Sequence, residues 1–114
     1  MLERARRLLG MKPQLVARLS LYPAERSPRK IALPPGFGCP CFLSGTKPEH
    51  GWDCFLLLGE EWMQLGSERD VGFVFLSGEE AAANLRKSGE FYLWERDVIG
   101  VAKVIEADLG SSRS

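Results

Sequence analysis

The chain has 114 residues, 45% hydrophobic and 26% charged, with 15 basic and 15 acidic side chains. That is the composition of one ordinary globular domain, not of a disordered tract or of a catalytic domain joined to a binding domain. No apolar run approaches the ~20 residues of a membrane-spanning helix, and no apolar stretch or small-residue cleavage pattern follows the basic opening MLERARRLLG, so a soluble, cytoplasmic protein is expected, with no membrane partner.

Residues 2–9 place Leu2, Ala5, Leu8 and Leu9 on one side of a short helix that Gly10 stops, so residues 1–12 read as a basic, helical leading segment. Residues 14–22 (QLVARLSLY) alternate Leu15, Ala17, Leu19 and Leu21 on one face, the pattern of a half-buried strand that Pro23 ends. Residues 24–38 carry three prolines and two glycines and read as mostly loop or sheet edge. Short β-branched or aromatic runs at 41–44, 52–58, 71–76, 91–95 and 99–105 read as further strands. Between the third and fourth of these, residues 78–87 have helix-forming composition. Ser77 and Glu80 stand at the spacing of a reciprocal capping box, and Gly89 supplies the stop. Six strands and one short internal helix predict an all-β, six-stranded antiparallel barrel over residues 13–108, whose closure removes exposed edges, with a disordered tail at 109–114.

Two segments carry a resemblance. Residues 91–106 (FYLWERDVIGVAKVIE) describe a closing hairpin, and residues 34–42 (PPGFGCPCF) follow a strand and a basic turn, AERSPRK. Together they resemble the third, C-terminal domain of elongation factor Tu-like translation factors. Phe91, Leu93, Glu95, Gly100 and Val104 fit its last two strands, with Arg96 and Asp97 in place of the turn glycines. Gly36, Phe37, Pro40 and Phe42 fit its opening segment with one inserted residue, while the family's Arg is missing there. The resemblance implies a barrel that docks on protein and touches tRNA. It implies no GTPase activity, since the phosphate-cradling G-x-x-x-x-G-K-[ST] loop is absent from the sequence. Arg29 and Lys30 then fall where the family has basic residues near tRNA, and Arg96 falls in the last hairpin turn.

Charge is unevenly spread. Residues 1–30 hold eight Lys and Arg against Glu3 and Glu25, a surplus of six cations that the rest of the chain balances. Such a segment can attract phosphates, although runs of charge are ordinarily just solvated. Among the aromatic residues, Trp62, beside Glu60 and Glu61, and Trp94, on the strand face opposite Leu93, read as exposed rings. Acidic neighbours suit Trp62 to a protein partner better than to nucleic acid. The expectation is therefore a non-catalytic binding module for a protein partner, with no cofactor. RNA binding through Arg29, Lys30 and Arg96 is the second reading, and an exposed aromatic patch also suits a homo-oligomer.

Two other chemistries have candidate residues. Cys39, Cys41, His50 and Cys54 form a C-x-C…H-x-x-x-C set of zinc-compatible ligands, but only Pro40 separates the first pair, closer than in the common zinc turn. A thiol enzyme would draw on His50, the single histidine, and Cys54, a pairing of little specificity. Two buried reduced thiols on one strand face are the plainer account of Cys39 and Cys41.

Overall fold

The computed structural model describes residues 2–44 and 51–105. Strands β1 (Leu15–Leu21), β2 (Gly38–Phe42), β3 (Gly51–Leu57), β4 (Glu68–Phe75), β5 (Glu90–Glu95) and β6 (Asp97–Val104) close into an antiparallel barrel in the order β1-β4-β3-β2-β5-β6. Helix α1 (Leu2–Leu9) precedes it, and α2 (Glu79–Ser88) links β4 to β5. Alternation does the folding. Leu15, Ala17, Leu19 and Leu21 of β1 point inward, as do Val71, Phe73 and Phe75 of β4 and Phe91 and Leu93 of β5, and all are buried. Phe73 lies at the centre of this packing, 5.2 Å edge-on to Phe91 and 6.4 Å from Phe75. Such pairs add to the stabilisation that their burial already provides.

The ends of the barrel are covered by the connections. α2 buries Ala81, Ala82 and Leu85, and ends at Gly89 in the left-handed conformation (φ 85), whose N–H donates to Leu85 O at 2.9 Å. The segments leading into β2 and β4 meet through a two-way backbone pair, Leu33 N–H to Met63 O at 2.9 Å and Met63 N–H to Leu33 O at 3.0 Å, with both side chains buried. Gln14 joins the start of β1 to the end of β4: its N–H donates to Phe73 O at 2.9 Å, and its Oε1 accepts from Phe75 N–H at 2.8 Å.

The structure differs from expectation at element ends. β2 begins at Gly38 rather than at residue 41, because pairing with β3 from Gly38↔Phe55 to Phe42↔Gly51 overrides the loop character of Gly and Pro. Pro40 is tolerated there because β2 pairs with β5 only at Cys41 and Phe42. β4 begins at Glu68 rather than at residue 71, since Glu68, Arg69 and Asp70 are held opposite Ser20, Leu19 and Arg18 of β1. The capping box does not form. Gly78 is the N-cap of α2, with φ 70 and no side-chain cap bond, and its N–H closes a tight turn onto Phe75 O at 2.9 Å, leaving Ser77 outside the helix. Residues 106–114, including the tail expected at 109–114, lie outside the described residues. No helix among the described residues is long and apolar enough to cross a membrane.

Candidate functional site

The barrel sorts the eight basic side chains of residues 1–30. Arg18 pairs across strands with Asp70 (3.2 Å) and Glu68 (3.5 Å), and Arg26 lies over the Tyr22 ring at 5.4 Å. Arg29 is the most committed, with a side chain 12% exposed. Its Nη1 donates to both carboxylate oxygens of Glu95 (3.0 and 2.9 Å), its Nε to Ile31 O (2.8 Å) and its Nη2 to Ala32 O (3.0 Å). The same guanidinium covers the Phe37 ring at 4.9 Å. Lys30 Nζ donates to Ala24 O (2.7 Å) and Ser27 O (2.8 Å), closing the 3-10 turn Ala24–Arg26. Lys30 thus spends donors on the loop that carries it, and Arg29 ties that loop to the end of β5. Arg96 is exposed at the β5–β6 turn and lines a small hollow with Arg29, Lys30, Ile31 and Glu95.

Four cations are left, Arg4, Arg6, Arg7 and Lys12, and all sit on or next to α1. The helix lies over the outer face of β3 and β4: Leu8 is buried, Ala5 packs on the backbone of Gly36, and Arg4 lies 4.9 Å from the Phe55 ring centre. Gly36 permits this approach. It has φ 87, and a β-carbon there would stand 3.2 Å from Ala5 N.

Beside α1 the surface opens into a groove of about 550 Å³. Phe55, Val74, Phe75 and Leu8 form its floor, and Arg4, Arg7 and Lys12 its basic rim. Two large apolar side chains stand at its mouth, Met11 at 50% exposure and Leu76 at 70%. Among the described residues no acidic side chain lines it. Arg4 Nε is buried and has no hydrogen-bond partner among the described residues, an unmet donor that costs about 1–3 kcal/mol until an acceptor arrives. An apolar floor with a cationic rim fits a ligand that combines a large apolar group with carboxylate or phosphate. The sequence names Arg4, Arg7 and Lys12 as basic but gives no sign of their neighbours, because Phe55 and Phe75 come from strands, and Leu76 from the turn after β4, more than forty residues away.

The expected aromatic pair separates. Trp62 is 52% exposed in the loop between β3 and β4, next to exposed Glu60 and Glu61. Trp94 does point outside the barrel, opposite Leu93, but it is half-buried rather than open, packed edge-on against Phe42 at 5.6 Å. The cross-strand neighbour covers the ring, which no pattern within β5 reveals.

The three thiols are brought together. Cys39 and Cys54 are cross-strand partners on β2 and β3, Cys41 lies two residues along the same face, and all three are free and buried. Hydrogen bonds with Cys39 and Cys41, together with burial, hold the Cys54 thiol well above its ordinary value of 9.0. Nucleophilic thiols need the reverse, a lowered pKa and access. Among the described residues no group of three or more His, Cys, Asp or Glu is arranged to hold a metal ion, and His50 lies outside them. No protein-family model, curated protein or solved structure matches this chain.

Proposed function

We propose that the chain is a non-catalytic recognition module that holds a protein partner in the groove beside α1, in the docking manner of the translation-factor third domains it resembles. The groove carries this reading: a concave apolar floor under a rim of three cations, with two large apolar side chains left in water at its mouth. An apolar patch rimmed by polar groups is the common mark of a protein-binding surface. RNA is the weaker reading, supported by the four cations gathered around α1. Against it, Phe55 is covered by Arg4 and so offers no open ring for a base to stack on, Arg29 is occupied by Glu95 of β5 and by carbonyls of its own loop, and Lys30 by carbonyls of that loop.

A photoreactive residue placed at Leu76 and activated in the source cells tests the reading. The expected product is a protein adduct that survives ribonuclease and disappears when Arg7→Glu and Lys12→Glu reverse the rim. An adduct with RNA alone, or a protein adduct indifferent to the reversal, would overturn it.

A further inference from the structure

The groove has a chemical counterpart on the same chain. The loop after β3 presents Gly59-Glu60-Glu61-Trp62, two exposed carboxylates followed by a 52% exposed indole, and neither Glu60 nor Glu61 is in an ion pair among the described residues. Arg7 and Lys12, on the groove rim, are likewise exposed and outside any ion pair among those residues. The loop and the groove flank α1 on opposite sides. The groove uses Arg4, Arg7, Leu8 and Met11, while Glu60 shares a second hollow with Ala5, Arg6 and Leu9. A molecule's own loop is therefore held on the wrong side of α1 to enter its own groove.

Resting on the groove reading above, we infer that the partner is a second copy of this chain, whose Glu60-Glu61-Trp62 loop seats its indole between the exposed Met11 and Leu76 at the groove mouth and its carboxylates against Arg7 and Lys12. Because groove and loop flank one helix, a two-fold axis near α1 makes the contact reciprocal: each groove receives the other copy's loop, and the assembly closes as a dimer instead of growing into a chain. The indole supplies the buried anchor, and the carboxylates set orientation and rate of encounter.

Sedimentation of the full chain from about 1 µM to about 1 mM, the range of ordinary homotypic contacts, tests this with two variants at exposed positions, Trp62→Ala and the pair Arg7→Glu, Lys12→Glu. The expected wild-type result is a concentration-dependent dimer, with each variant weakening it at least about tenfold. Mixing the two variants is the diagnostic arm. The mixture restores one intact loop-in-groove contact, so its heterodimer forms more tightly than either variant's homodimer, which an unrelated interface would not produce. A synthetic peptide LGEEWMQ, residues 58–64, should compete with the dimer, and its Trp→Ala version should not. A chain that stays monomeric throughout, or a dimer unchanged by both variants, overturns self-docking. If a ribonuclease-resistant, rim-dependent Leu76 adduct is found with some other protein, the groove reading stands while self-docking fails.

Discussion

Arg29 shows how a residue that looks like a ligand-binding cation in sequence becomes a structural one. Its guanidinium satisfies two carbonyls and a carboxylate from a position 12% exposed, so Arg29→Ala leaves Glu95 and both carbonyls short of a donor. Loss of several charge-assisted bonds at a partly buried site should cost about 2–4 kcal/mol in chemical denaturation. Arg29→Lys should recover little of it, because one ammonium cannot reproduce the fork. Arg96 stands at the opposite extreme. It is exposed with φ 75, a left-handed conformation that penalises a β-carbon, and the following turn is fixed by Val98 N–H donating to Asp97 Oδ1 at 2.7 Å. Arg96→Gly should raise stability by about 0.5–1 kcal/mol, read as a higher midpoint in the same denaturation experiment. Cys54 makes a pH prediction. Its folded pKa is raised, so its contribution is fully present below the unfolded thiol value of 9.0 and is lost as pH rises above that value towards the folded one. Stability should fall on the alkaline side, and Cys54→Ser or →Ala should flatten that limb of the pH profile. Thiol reagents should reach Cys54 only after unfolding.

Among the elements, α1 is the least secured, held to the barrel chiefly by Leu8, Ala5 and Arg4 among the described residues. Gly36 is the seat. Gly36→Val adds strain at a positive φ and pushes against the backbone of Ala5, so α1 should lift while the barrel stays closed. Circular dichroism should show a small helical loss, and the groove should lose its basic wall and its partner together. β4 is secured differently. Its first three residues are charged and read as turn, yet each is registered against β1, with Arg18 held between Glu68 and Asp70. Both carboxylates are more than half exposed, so these pairs fix register more than they add stability.

At the scale of the whole molecule, closure of the barrel places every groove on its outside. All six strands have two neighbours, so no open sheet edge is offered among the described residues, and on the proposed reading a partner would meet the helix and loops laid over the barrel. Contacts between a cationic rim and carboxylates on the surface are screened over roughly 10 Å at 0.1 M salt. Partner binding should therefore weaken modestly as salt rises and level off where apolar burial alone remains. A steep, continuing log–log decline would instead indicate phosphate release and favour RNA.

Sequence alone was enough for the barrel and its interior, since a period of two with apolar residues on one side can be buried in only one way. Leu15 to Leu21 and Val71 to Phe75 needed no knowledge of their neighbours. The helix stop at Gly89 was equally local, being a matter of one residue's permitted backbone angles. Pairing across the chain decided the rest. It drew Gly38 and Pro40 into a strand, set Cys39 against Cys54, folded Trp94 under Phe42 and turned Arg29 inward to Glu95. The groove belongs wholly to this second class: its rim lies within residues 4–12 and its floor largely within residues 55–76, and only the docking of α1 against the barrel brings them to one place. Strand periodicity is a property of adjacent residues, whereas a site is a property of residues made adjacent by the fold.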